Sequence, residues 1–210
     1  MLNNKEYKNF CTLYLVRHGE TEWNKKEILQ GHVDIPLNEE GEKQVAQTAQ
    51  ELKDIKFEAI FSSDLHRALR TDEIIKMERQ LAVQTSKLLR ERDFGHYEGI
   101  LRSEYRIKLQ KLIKELSENE RKSFKFDYDV ESDEEVIFRF ITQLREISVA
   151  YPNKTILVVT HGGCIRTFLT HTGYFKYGEL PPGSFSNAGY VKVLCDGVDF
   201  FIKEVKGIKK

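Results

Sequence analysis

The sequence predicts an α/β domain built on a mainly parallel sheet. Three observations carry this expectation. Short apolar runs that read as strands alternate with longer stretches of helical periodicity, the pattern of strand–helix crossovers. One run, Thr155 to Thr160, is continuously β-branched and apolar, as strands buried on both faces are. Two runs end in His-Gly, at Arg17-His18-Gly19 and His161-Gly162-Gly163. In open parallel sheets, ligands bind at the carboxyl ends of the strands.

The elements follow in order. Leu13 to Val16 reads as a buried strand leading into a loop. Asn38 to Leu52 reads as a helix with Asn38 as N-cap and Gly41 as a weak spot in its first turn. Ala59 to Phe61 is a short strand, and Ser62-Ser63-Asp64 offers N-cap chemistry for a helix through about Lys76. Ala82 to Thr85 reads as another short strand. Leu101 to Asn119, charged with periodic Leu and Ile, fits one amphipathic helix. Ser132 and Glu135 form a capping box before a helix to about Tyr151, which Pro152-Asn153 ends. After the Thr155–Thr160 strand a helix runs through about His171. Gly189 to Leu194 and Phe200 to Val205 alternate around Asp196-Gly197, a hairpin signal. No repeat or low-complexity linker divides the chain, so 1–210 reads as a single domain.

Composition narrows the function classes. Of 210 residues, 40% are hydrophobic and 31% charged, an ordinary globular balance. Lys plus Arg and Asp plus Glu number 33 each, so there is no basic footprint for nucleic acid or an anionic membrane surface. Any anion must be held by a local cluster. No apolar run approaches membrane-spanning length, and Met1 to Asn9 is too polar for a secretory signal. Cys11, Cys164 and Cys195 have no metal-site or disulfide spacing and read as reduced thiols. The expected location is cytoplasmic, and a homodimer is compatible with the sequence.

Arg17, His18, Arg67 and His161 form the candidate chemistry. Guanidinium forks match phosphate oxygens, and glycines with helix N-termini let backbone N–H groups approach an anion. Imidazole serves as a nucleophile if the attacking nitrogen is unprotonated, which requires an acceptor for the other. One histidine after one strand would read as a satisfied turn residue. Two strand-terminal His-Gly units with a helix-borne Arg are far less common by chance. A proton donor for the leaving oxygen is still needed. Glu91 leads, with Asp93 and Glu98 as rivals in the same segment. Arg90 and Arg92 read as surface or salt-bridge residues, and His32, His66, His96 and His171 as polar surface or packing groups.

At Leu15-Val16-Arg17-His18-Gly19-Glu20-Thr21 the sequence resembles the histidine phosphatase superfamily, the phosphoglycerate-mutase-like proteins. The resemblance continues through Trp23-Asn24, Gln30-Gly31 and Asp34 to Asn38. It recurs at Ser62 to Ala68, at Glu91 with Gly95 and Glu98-Gly99, and at Thr160 to Gly163. It implies a three-layer α/β/α sandwich with a mainly parallel central sheet, and residues 101–129 as a helical cap insertion over the active site. It implies phosphorylation of His18, with Arg17, Arg67 and His161 forming the phosphate pocket, assisted by Asn24 and the Gly162 N–H. Gln30 and Gly31 would line the substrate side. Glu91 would protonate the leaving group and then activate water.

No metal or cofactor is implied. Asp72 departs from the Ala of many members, at a position expected to be structural. The run Glu91 to Gly99 resembles the phosphatase branch, with an aromatic residue before Glu-Gly, rather than the Arg-His-Tyr-Gly of mutases. The expectation is therefore a metal-independent phosphomonoesterase of histidine acid type, with a phosphoglycerate mutase as the alternative. A phospho-ligand-binding module is disfavoured because every essential group is present. The substrate would be a small phosphomonoester: a sugar phosphate, fructose 2,6-bisphosphate, a phosphoglycerate, phosphoserine or α-ribazole phosphate. Tyr105, Arg102, Arg106 and Lys108 would select an anionic group, unless they form a solvated helix face.

Overall fold

The computed structural model describes residues 9–77 and 79–208. Residues 1–8 of the polar start, on which the absence of a secretory signal was argued, lie outside the described residues. The order is β1 (Cys11–Arg17), α1 (Glu22–Lys25), α2 (Glu39–Glu51), β2 (Ala59–Ser62), α3 (His66–Lys76) and β3 (Val83–Thr85). Then come α4 (Arg102–Ile113), α5 (Glu118–Ser123), α6 (Asp133–Ala150), β4 (Thr155–Thr160), α7 (Gly162–His171), β5 (Phe185–Cys195) and β6 (Phe200–Ile208).

The strands form one sheet in the order β3-β2-β4-β1-β5-β6. The first four run parallel, and β5 and β6 are antiparallel additions at one edge. Helices cover both faces. Leu13, Leu15, Ile156 and Val158 pack with Phe140 and Leu144 of α6 and Phe168 of α7. The alternate residues Tyr14, Val16, Leu157 and Val159 pack with Val45 and Ala49 of α2 and Ala68 and Ile75 of α3. Both faces of the central strands are thus dry, which is why their sequences are apolar without alternation.

This topology positions the site. β1 and β4 are neighbours at the centre, with Arg17 opposite Thr160. Their next residues, His18 and His161, emerge one strand spacing apart, about 4.8 Å. β2 lies on the other side of β4 and feeds α3, which carries Arg67.

The structure departs from the sequence expectations in three places. The N-cap of α3 is Leu65, with no side-chain cap bond. Ser62 and Ser63 are buried, and Asp64 instead accepts two 2.7 Å bonds from the Arg90 guanidinium, a bidentate pair stronger than a cap. The expected single helix over 101–119 breaks into α4 and α5, because Ser117 and Glu120 form a capping box that starts a new helix. Gly41 is a packing requirement rather than a weak spot. A Cβ there would stand 2.1 Å from the Glu20 carbonyl oxygen, so glycine lets α2 abut the loop after His18. The three cysteines are buried and free.

Asp72 is buried on α3, one carboxylate oxygen without a hydrogen-bond partner. Desolvation pushes its pKa up from 3.8 to about 7 against a hydrogen bond with Ser62. The folded state therefore holds a proton that the unfolded chain loses between about pH 4 and 7. Asp72 thus erodes stability as pH rises through that window. Asp72→Ala should unfold at a higher temperature than the parent at pH 8, and the advantage should shrink towards pH 4. Melting curves across this range check it, and a pH-independent difference would refute the assignment.

Candidate active site

His18 leaves β1 with its backbone N–H on the Thr160 carbonyl (3.0 Å), and its carbonyl accepts from Ala188 N (3.2 Å). The imidazole Nδ1 lies 2.7 Å from the Gly19 carbonyl oxygen. A carbonyl only accepts, so Nδ1 carries the hydrogen and Nε2 keeps its lone pair. His161 has the opposite tautomer. Arg67 Nε donates to its Nδ1 at 3.3 Å, which leaves the hydrogen on Nε2, and that buried Nε2 has no partner. The two rings are 5.1 Å apart between centroids. Burial together with the Arg67 and Arg17 charges holds both imidazoles well below the usual histidine pKa, so both are neutral at neutral pH.

Arg67 is fully buried and also donates to the carbonyls of Val33 (2.8 Å) and Gly31 (2.7 Å). Arg17 Nη1 donates to the Phe185 carbonyl, while its buried Nε has no partner. Burial lowers the pKa of each guanidinium to about 10, so both remain charged near neutrality. The unpaired Arg17 Nε and His161 Nε2 lie where two buried donors would be costly without an acceptor, the signature of an oxyanion site.

Glu91, the candidate acid, is held from two sides. Glu91 Oε2 accepts from the Gly163 N–H in the first turn of α7 (2.9 Å), and Oε1 from Arg92 N (2.8 Å). A Cβ at Gly163 would stand 2.2 Å from Glu91 Oε1, and one at Gly162 2.9 Å from Arg17 Nε. The two glycines are thus spaces for those two side chains. The Glu91 carbonyl accepts from Arg139 Nη2 (2.9 Å) and lies 2.9 Å from His32 Nε2.

Arg17, His18, Asn24, Gln30, Gly31, Arg67, Glu91 and Gly162 line one cavity of about 420 Å³. His161 stands behind it against His18 and Arg67. The Asn24 amide oxygen is occupied by Thr21 and Asn187, so its NH₂ is what it can offer a ligand. Gln30 Oε1 is held by Thr21 Oγ1 (3.0 Å). The rivals of Glu91 are engaged elsewhere. Glu98 accepts 2.7 Å bonds from His32 N and Val33 N, Asp93 accepts from Gly95 N (2.8 Å), and neither lines the cavity. Tyr105, Arg102 and Arg106 line it; Lys108 instead covers the Tyr97 ring at 5.7 Å.

Sequence reasoning missed several residues. Asn187 donates to the carbonyls of His18 and Gly19 and to Asn24 Oδ1, fixing the loop that carries the nucleophile candidate. A lone loop asparagine gives no signal of this. Thr71 bridges Gly19 N (3.1 Å) and the Arg67 carbonyl (2.8 Å). Arg139 was visible, as a charge three residues after Val136 on the apolar face of α6.

Two neighbouring histidines and two buried guanidiniums meet at the carboxyl edge of the parallel strands of an α/β sheet. Comparison with known proteins narrows it. The model of the histidine phosphatase superfamily, branch 1, matches residues 13–206. The uncharacterized phosphatase PhoE of Bacillus subtilis (strain 168) is 38% identical over 156 residues, 74% of each chain. Phosphoglycerate mutase-like protein 4 of Arabidopsis thaliana is 36% identical over 165 residues, 76% of this chain and 70% of its own. The structure of Bacillus stearothermophilus YhfR matches with a TM-score of 0.81 at 27% identity, over 95% of this chain and 98% of its own. The chain belongs to the histidine phosphatase superfamily, as a phosphatase of that superfamily.

The pocket geometry makes a binding prediction. Vanadate at a hundredfold excess over its Kd should stabilise the fold by about 2.7 kcal/mol, roughly 5–10 °C in Tm. Arg67→Met should remove most of that shift. A variant shift equal to the parent's would place the anion elsewhere.

Proposed function

We propose that the protein hydrolyses small phosphomonoesters through a phosphohistidine at His18, with no metal in the reaction. The opposite tautomers of His18 and His161 are the observation that carries this reading. The Nε2 lone pair of His18 attacks phosphorus, and the P–O bond to the leaving group breaks. Glu91 gives its proton to the departing oxygen. The charge building on the phosphoryl oxygens meets Arg17, Arg67, His161 Nε2–H, the Asn24 amide and the Gly162 N–H. Glu91 then takes a proton from water, whose oxygen attacks phosphorus. The P–N bond breaks, releasing inorganic phosphate and regenerating His18. Two guanidiniums and neutral donors supply the charge stabilisation for which many phosphatases use a cation.

Residues 101–129 serve as a cap that shapes the leaving-group side. Tyr105, Leu109, Ile113, Phe124 and Phe126 give that wall its apolar character, which supports the assignment. Hydrolysis is preferred over a mutase reaction because Asp93-Phe94 intervenes in the run after Glu91, where mutases carry Arg-His-Tyr-Gly, and Phe94 lies on the cavity wall. The Arabidopsis relative is the reason a phosphoglycerate mutase is retained as the second reading. The buried free thiols support a cytoplasmic location.

Three measurements test the mechanism. His18→Ala should lower kcat/KM for para-nitrophenyl phosphate by roughly a thousandfold or more with the fold intact. Parent activity should survive a chelator. Residual variant activity within tenfold of the parent would remove His18 from the nucleophile role. In kcat/KM, which reports the steps up to leaving-group departure, Glu91→Gln should cost about 10²–10⁴ for alkyl phosphates, whose leaving oxygen needs the proton, and under about tenfold for the activated aryl ester. Equal losses for both would rule out Glu91 as the acid.

A further inference from the structure

Glu91 is tied to α6 through its carbonyl and to α7 through its carboxylate, and both helices pack on the same face of the sheet. Arg67 belongs to α3, on the other face. A side chain outside the cavity joins the two. His32 lies between the two residues whose carbonyls Arg67 holds, Gly31 at 2.7 Å and Val33 at 2.8 Å. Its Nε2 lies 2.9 Å from the Glu91 carbonyl oxygen. That oxygen only accepts, so Nε2 carries a hydrogen whether the ring is neutral or charged. Arg139 Nη2 takes the second lone pair of the same oxygen at 2.9 Å. His32 Nδ1 lies 3.3 Å from Asp93 Oδ2, to which the charged ring also donates. The imidazole does not line the cavity, so it reaches the chemistry only through another residue.

The loop that carries His32 is held without its ring. His32 N and Val33 N each donate to the Glu98 carboxylate at 2.7 Å. Leu29 N donates to the Ile100 carbonyl and Gly99 N to the Leu29 carbonyl, both at 2.9 Å. Arg90 reaches Asp64 ahead of α3, but through its own side chain. Among the described residues, the His32 imidazole is the group that carries a hydrogen bond from the Arg67-held loop to Glu91 itself. A histidine that merely filled space or paired with Asp93 would have no need of a donor at Nε2. Resting on the reading of Glu91 as the acid, we propose that His32 is a positioning residue for the proton transfer. Its Nε2–H fixes Glu91 relative to Arg67, and so fixes the acid relative to the phosphoryl group that Arg67 binds. Proton transfer is steep in distance, and a displacement of about 1 Å costs up to roughly a hundredfold.

The test compares kcat/KM on the full chain for glycerol 3-phosphate, a poor leaving group, and para-nitrophenyl phosphate, a good one. His32→Ala should lower the first by roughly ten- to a hundredfold and the second by under about threefold. Vanadate should bind the variant within about threefold of the parent, because Arg17 and Arg67 keep their own partners. In a Glu91→Gln background, His32→Ala should change glycerol 3-phosphate turnover by under about threefold, since a residue that acts through the acid then has nothing to position. His32→Gln places an amide N–H near the Nε2 site and should recover the parent to within about threefold. His32→Asn places it near Nδ1 instead and should behave as Ala does. Equal losses on the two esters overturn the proposal, because a purely structural histidine would give them. So do a loss that persists in full in the Glu91→Gln background and a vanadate affinity that falls with turnover. If His32→Ala does not fold, the Gln and Asn variants decide, and equal rates for the two refute the Nε2 role. Failure of the acid reading looks different: Glu91→Gln alone then slows both esters alike, and the proposal falls with that reading.

Discussion

The hydrogen bond from Arg67 to His161 is the contact on which the site's chemistry depends. It fixes the lone pair of His161 on Nδ1 and so turns Nε2 into a donor. The Gly19 carbonyl does the reverse for His18. Without these two acceptor–donor assignments, the neighbouring imidazoles would be equivalent. Neither would have a defined role. The same guanidinium still has capacity for a ligand. Of its five N–H groups, three go to His161, Val33 and Gly31, and two remain.

A comparable division fixes Glu91. Its backbone is tied to α6, because Arg139 gathers the carbonyls of Leu88 (2.9 Å), Arg90 (2.6 Å) and Glu91 (2.9 Å) onto one guanidinium. Glu131 on the opposite side neutralises that charge with two 2.8 Å bonds. Its side chain is tied to α7 through Gly163. Anchored by two helices packed on one face of the sheet, the carboxyl is held in place relative to His18, which the sheet itself positions. The proton transfer proposed for Glu91 requires that sort of fixed distance.

Much of this was legible because the sheet writes it into local sequence. Thr155 to Thr160 announces a doubly buried strand, and His-Gly after two such runs announces a shared edge. The capping boxes at Ser132 and at Ser117 are equally local, although the second was overlooked within an apparent single helix. What stayed hidden depends on distance along the chain. Asn187 reaches His18 and Gly19 across more than 160 positions, and Asp64 leaves a helix start for Arg90 because a bidentate ion pair outweighs a cap. Gly41 was read from helix propensity, whereas the Glu20 backbone decides it. Arg92 was correctly read as a salt-bridge residue, yet its partner Asp133 needed coordinates.

The buried guanidiniums share one electrostatic condition. Arg17 and Arg67 are lowered to about 10 by burial and still ionised, with the adjacent imidazoles held neutral. Such buried positive charge, only partly offset by Glu91 and the neighbouring carboxylates Glu20, Asp34 and Glu98, opposes folding, and the two cores on either side of the sheet make up the difference. In the proposed mechanism an incoming phosphoryl group relieves that cost, and relieves it most as negative charge accumulates on its oxygens. The interaction therefore strengthens along the reaction coordinate, which is what lowers a barrier rather than merely tightening binding.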